Sequence, residues 1–172
     1  IVQKPAFKLL GNMVDMSRGG VMKVASVKKY LDYMVAHGMN MLMLYTEDTY
    51  EVKEYPWFGY QRGRYTLEEL KQIDDYAYSL GIEVIPCIQT LAHLATALPW
   101  PQLQPICDAE GILLAGDART YEFITAMLRQ CRKCFRYCHA AVMSARAAEC
   151  YVQMVLAFIY VSLLHRHKQR MY

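Results

Sequence analysis

Between Leu9 and Gln89 the chain switches back and forth between short apolar runs and helical stripes, and that alternation restricts it to few folds. Leu9 to Asp15 is an apolar run that ends in the polar cluster Asp15-Met16-Ser17-Arg18-Gly19-Gly20. Val24, Val27, Leu31, Met34 and Val35 then recur at helical spacing, with Lys28, Lys29 and Asp32 on the other face. Gly38 stands where a helix C-cap is expected. Asn40 to Tyr45 is a second apolar run, short enough for a buried parallel strand, and a long loop follows it to Tyr65. Thr66 opens the next helix, and Glu69 three residues on completes a capping box. Leu70, Ile73, Ala77 and Leu80 form its apolar stripe, Gly81 ends it, and Ile82 to Gln89 reads as a third strand. Strands near 9–15, 40–45 and 82–89, with helices near 24–37 and 66–80, make an α/β fold with a parallel sheet.

Beyond the third strand the pattern weakens. Leu91 to Pro105 is irregular and carries Pro99, Pro101 and Pro105. Ile112-Leu113-Leu114 is a short apolar piece, after which Asp117 can cap a helix bearing Tyr121, Ile124, Leu128, Cys131 and Phe135 on one face. From about Tyr137 alanine becomes frequent and glycine vanishes, so residues 137–172 are expected to form a divergent helical tail on an α/β unit spanning 1–136. The apolar stretch Cys150 to Leu164 falls short of the ~20 residues that a membrane helix needs. It reads as a helix docked over an open sheet edge, and membrane association is the lesser expectation despite the basic end His165 to Arg170.

A hydrophobic content of 55% with 20% charged residues argues for a globular chain. The formal net charge of +3, spread among mixed signs, gives no footprint for nucleic acid, and no Gly-rich phosphate loop occurs. The six cysteines lack a small secreted scaffold and read as reduced thiols of a cytoplasmic protein, with no signal peptide at an N-terminus that starts at Ile1. Cys131-x-x-Cys134-x-x-x-Cys138-His139 offers zinc-type donors. Cys131, however, lies on an apolar stripe and no second pair stands at finger-like spacing, so no metal and no cofactor are expected.

Several segments in order resemble one family. Asp15-Met16-Ser17-Arg18 looks like an Asp-x-x-Arg segment, and Leu44-Tyr45-Thr46-Glu47-Asp48-Thr49-Tyr50 like a strand-two motif. Tyr65-Thr66, Glu69, Ile73, Tyr76-Ala77, Gly81-Ile82, Val84-Ile85-Pro86 and His93 follow the same pattern. Together they resemble the β-N-acetylhexosaminidases of glycoside hydrolase family 20, in particular the small bacterial branch that processes N-acetylglucosamine. The resemblance implies a (β/α)8 TIM barrel, of which this chain holds the first three to four β/α units. A whole barrel usually takes roughly 200–250 residues. It also implies exo-hydrolysis of terminal β-linked N-acetylhexosamine, with N-acetylglucosamine-containing glycans as partners.

The family's reaction is substrate-assisted, an exception to the two-carboxylate scheme. An adjacent Asp-Glu pair at the end of strand four orients the 2-acetamido nucleophile and supplies the general acid. No Asp-Glu dipeptide occurs in the 172 residues, and laying His139 on the motif's histidine puts Met143 and Ser144 at the pair's positions. No catalytic residue is therefore assigned, and the resemblance implies a barrel cut off before its acid. Gln89 replaces the aspartate that many members carry after strand three, and Leu91-Ala92 replaces Pro-Gly before His93.

The resemblance makes Arg18 the residue that grips sugar hydroxyls, Asp48 a carboxylate at the sugar or at Arg18, and His93 a neighbour of the substrate. Trp57 is the best stacking candidate in a loop that also holds Phe58, Tyr60 and Tyr65. Arg18, Asp48 and His93 should converge at the C-terminal ends of the strands, with Trp57 at the rim. Two functions compete, ahead of a weaker third, a membrane-associated or metal-binding α/β protein using the C-terminal segment. One is a family 20 hydrolase in truncated form. The other is a non-catalytic barrel remnant or gene-model fragment, whose last residues come from a shifted frame, splice or fusion, with at most a carbohydrate-binding role. An incomplete barrel leaves strand edges unpaired, so either the C-terminal helix covers an edge or chains self-associate through it.

Overall fold

The computed structural model describes residues 6–136 and the backbone of 141–143. Three apolar runs become β1 (Gly11–Asp15), β2 (Met41–Tyr45) and β3 (Glu83–Gln89), separated by α1 (Val24–Ala36) and α2 (Leu67–Ser79). The short antiparallel pair β4 (Cys107–Ala109) and β5 (Ile112–Leu113) sits in the long excursion after β3, and α3 (Ala118–Cys134) follows. The last element is β6 (Ala141–Met143), which pairs parallel with β3. A strand therefore lies inside the segment expected to be a helical tail, and the sheet runs past the boundary expected at 136. The rest of that tail, with Cys138, His139 and the proposed edge-covering helix, lies outside the described residues.

Local chemistry accounts for the helix boundaries. Thr66 accepts from the Glu69 amide at 3.1 Å while the Glu69 carboxylate accepts from the Thr66 amide at 2.9 Å, a reciprocal capping box. Asp117 accepts from the Arg119 amide at 2.8 Å and starts α3. Gly38 and Gly81 end α1 and α2 at φ 72° and 74°, where a Cβ would be strained.

The four strands stand in the order β1-β2-β3-β6, every pair parallel. A sequential order with the helices gathered on one face is the wall of a barrel; a doubly wound sheet reverses its order and puts helices on both faces. Register shows which side chains share a face, because paired residues in parallel strands point the same way. Asn12, bonded through its Nδ2 to the Tyr30 hydroxyl of α1, is level with Leu42 and Val84. That outer face continues through Leu44 and Ile88 and is sealed against Val27, Leu31 and Ile73. Each fully buried aliphatic side chain there contributes about 1.5–3 kcal/mol.

The inner face is layered. Met13, Met43 and Ile85 share one level and Asp15, Tyr45 and Cys87 the next, with Gln89 beyond them level with Met143. Met13 remains 54% exposed, since among the described residues no helix covers this side and the sheet does not close. Among the described residues no helix is long and apolar enough to cross a membrane.

Candidate functional site

Every strand delivers its following loop to the same end of the sheet, so the residues after β1, β2 and β3 are neighbours whatever their separation in sequence. The hydrogen bonds show how closely they are tied. Arg18 donates through Nη1 to Asp15 Oδ2 and through Nη2 to Glu47 Oε1, both at 2.8 Å. The guanidinium also lies 5.5 Å from the centre of the Tyr45 ring. Two carboxylates thus hold the fork in one orientation, while the side chain stays 60% exposed and keeps donors for a ligand.

Each anchor is itself braced. Asp15 Oδ1 accepts from the Ser17 hydroxyl at 2.6 Å and from the amides of Ser17 and Arg18. Burial alone would raise the Asp15 carboxyl, but the Ser17 hydroxyl, these amides and Arg18 outweigh it and hold it at about 2. Glu47 Oε1 also accepts from the buried Tyr45 hydroxyl at 2.8 Å, and Gln89 Nε2 donates to that hydroxyl at 2.6 Å. Burial first, then donation to Glu47, pushes the Tyr45 phenol up, so it stays a donor across the physiological range. Arg18 is raised as well, above all by its bond to Asp15. Burial pushes the Cys87 thiol, level with Tyr45 in the sheet, up to about 12, which removes it as a nucleophile.

Asp48 faces elsewhere. It is 1% exposed and accepts from Arg62 Nε at 3.2 Å and from the Thr96 hydroxyl at 2.8 Å. Arg62 then donates through Nη2 to the Ser17 carbonyl at 2.8 Å. Asp48 therefore ties the loops after β1, β2 and β3 together from below, and Glu47, not Asp48, is the carboxylate at Arg18. The separation arises at the backbone, where Glu47 takes a left-handed φ of 47° and turns the two acids to different sides.

His93 follows β3 at the same end, exposed and also left-handed, with φ 59°. Trp57, partly exposed in the loop after β2, is stacked on Trp100 at 5.1 Å and 24°, with Tyr60 edge-on to both. One face of the Trp57 ring is thus taken by Trp100, which pins the loop after β2 to the excursion after β3. Arg18, Glu47, Tyr45 and Gln89 form one connected group, Asp48 with Arg62 and Thr96 a second, and Trp57 with Tyr60 and Trp100 a third. Cys131 and Cys134 of the zinc-like spacing lie buried on the stripe of α3, with burial raising Cys134 to about 11.

The sequence did not single out Tyr45, Arg62, Thr96 or Trp100, and it marked Gln89 only as a departure from an expected aspartate. Tyr45 and Gln89 end their strands, where inward-pointing polar side chains of a barrel gather, and that position was the available signal.

Residues 7–142 match the model of the catalytic domain of glycosyl hydrolase family 20. Beta-hexosaminidase 3 of Arabidopsis thaliana is 29% identical over 149 residues, covering 80% of this chain and 27% of that protein. A beta-hexosaminidase of Porphyromonas gingivalis is 34% identical over 120 residues, covering 60% of this chain and 15% of that one. Among solved structures, beta-N-acetylhexosaminidase from Bacteroides fragilis superposes with a TM-score of 0.68 at 30% identity, covering 77% of this chain and 31% of that one. The chain spans about a quarter or less of the length of the curated relatives it matches.

Proposed function

The chain belongs to glycosyl hydrolase family 20, as part of its catalytic domain, and on that premise we propose that it carries the sugar-gripping side of a β-N-acetylhexosaminidase site. The observation that carries this reading is the Arg18 fork, held between Asp15 and Glu47 at the C-terminal end of β1 with its remaining donors exposed. A planar guanidinium fixed at two nitrogens recognises a pair of neighbouring hydroxyls, such as those of a terminal pyranose. In this reading the ligand is a glycan ending in N-acetylglucosamine or N-acetylgalactosamine. His93 stands beside it, and the exposed side of the Trp57 cluster flanks it at the rim. Asp48 serves through the scaffold rather than through the sugar.

The reaction of such a site needs the substrate's acetamido oxygen aligned for attack and a proton donor for the leaving group. Within the 172 residues neither partner of an Asp-Glu pair is available, and β6 ends at Met143, which with Ser144 occupies the positions the resemblance gives that pair. A missing general acid alone forfeits ~10²–10⁴-fold in rate. Residues 1–172 are therefore expected to bind the sugar without cleaving it.

Purified residues 1–172, assayed on 4-nitrophenyl N-acetyl-β-glucosaminide, should show no turnover, and calorimetry should detect weak binding of N-acetylglucosamine. Arg18→Ala should abolish the binding without shifting the unfolding midpoint. Turnover by wild type that disappears in Asp48→Asn would overturn the assignment and put the acid after β2.

A further inference from the structure

We propose that Gln89 is a positioning residue for Arg18, acting through Tyr45 and Glu47 by fixing the direction in which one hydroxyl proton points. This rests on Arg18 as the sugar-binding side chain. It adds how the strand-three position controls that side chain, 71 positions away in sequence but one strand removed from Tyr45.

A count of protons fixes the direction of each bond. The Tyr45 hydroxyl has one hydrogen to give. Glu47 Oε1, 2.8 Å away, belongs to a carboxylate that only accepts, so that hydrogen goes to Glu47. Toward its other neighbour, Gln89 at 2.6 Å, the same hydroxyl can only accept, and position 89 must therefore supply a donor. A glutamine amide does so through Nε2; an aspartate or glutamate, ionised near neutral pH, cannot. The four groups then form a chain with one polarity: Gln89 gives to Tyr45, Tyr45 gives to Glu47, and Glu47 accepts from both Tyr45 and Arg18.

The far end of Gln89 supports this. Its Oε1 is buried and makes no hydrogen bond among the described residues, on a residue only 1% exposed. An unpartnered buried carbonyl is unfavourable, so the amide's orientation is not set by its own needs. It is set by the hydroxyl it serves. The glutamine at this position, where the resemblance leads one to expect an aspartate, is thus matched to Tyr45 and Glu47. A carboxylate at 89 would compete with Glu47 for the single Tyr45 proton and release the brace on Arg18.

The test compares the full chain with Tyr45→Phe, Gln89→Glu and Gln89→Leu. Nitrogen-15 NMR reads the Arg18 guanidinium without sugar, and calorimetry reads N-acetylglucosamine binding. Tyr45→Phe and Gln89→Glu should shift the Arg18 Nη signals strongly and weaken sugar binding by about 10-fold or more, the scale of one bond to a charged group. Gln89→Leu, which removes the donor without adding a competitor, should do less on both readouts. Arg18 signals that ignore Tyr45→Phe, or that respond equally to Gln89→Glu and Gln89→Leu, would overturn the proposal and leave Gln89 a packing residue. Should Gln89→Glu fail to fold, Gln89→Leu decides: Arg18 signals that it leaves unmoved would overturn the proposal. If the signals follow the predicted order while wild type binds no sugar, the positioning chain stands and the sugar-binding role of Arg18 fails instead.

Discussion

The loop after β1 and the loop after β2 leave the same end of the sheet, yet one is built as surface and the other as core. After β1 the chain buries Met16 and Ser17 and then emerges at Arg18, Gly19 and Gly20, with open space around both glycines. After β2 it buries Asp48, Thr49, Tyr50, Val52, Phe58 and Tyr65 almost completely. That second loop closes on itself through Glu51 and Tyr65, whose amides donate to the Tyr65 and Thr49 carbonyls at 2.9 and 3.0 Å. Tyr50, Phe58 and Phe123 then interlock edge to face and fasten it to α3. The difference teaches where positional accuracy comes from. Arg18 can be exposed and still have a defined place because the acid that holds it, Glu47, grows from a buried scaffold.

The contrast is most strongly challenged by removing packing from each loop in turn. Phe58→Ala opens a void between Tyr50 and Phe123 and should lower stability by about 3–5 kcal/mol in chemical denaturation. Gly19→Ala adds a Cβ at φ 79° but meets nothing, and should cost about 1 kcal/mol. Similar losses at the two positions would erase the distinction.

A finer version lies within two adjacent residues. Asp48→Ala leaves Arg62 and Thr96 without their acceptor. Breaking a buried ion pair costs about 3–5 kcal/mol. Because 31% of the Arg62 side chain reaches water, about 2–3 kcal/mol is expected here. Glu47→Ala strands the Tyr45 hydroxyl at about 1 kcal/mol, yet it should weaken N-acetylglucosamine binding far more than its stability loss suggests. Denaturation and calorimetry on the same two variants check the split. Equal loss of sugar affinity per unit of lost stability would mean that both acids are scaffold.

What could be read from the sequence divides along the same line. Periodicity reports the outer face, where Leu42, Leu44, Val84 and Ile88 must meet helices, and cap chemistry reports Thr66, Glu69, Gly38 and Gly81. The strands and helices that these define agree with the structure to within about two residues at each end. β6 escaped because three residues in an alanine-rich stretch carry no period. Arg18 was legible as a candidate site residue through its flanking motif. The assignment of Asp48 over Glu47 depended on which way each acid points, and a left-handed residue at 47 reverses the alternation that an extended chain would give. Tyr45 closes an apolar run and counts there as one more hydrophobe, so its hydroxyl stayed invisible. Gln89 was noticed only as a departure from an expected aspartate.

The smallest effect concerns the exposed anchor of Arg18. The Asp15 carboxyl sits at about 2 in the fold against an ordinary value of 3.8, so the folded state favours its charged form. A depressed carboxyl contributes stability that is complete above the unfolded value and disappears as pH falls through the folded one. The window is therefore pH 4 down to 2, with nothing to gain by raising the pH further. Arg18 is largely in water and more than a third of Asp15 is exposed, so screening keeps the stability change too small to read by denaturation. A carbon-13 titration of the Asp15 carboxyl can resolve it. Burial pushes this group up, and among the groups that oppose it the Ser17 hydroxyl stands first. Ser17→Ala should accordingly move the midpoint upward toward 3.8, and Arg18→Ala should move it less. A wild-type midpoint already at 3.8 would show that the loop after β1 does not hold Asp15 for Arg18, and the brace on the guanidinium would then come from Glu47 alone.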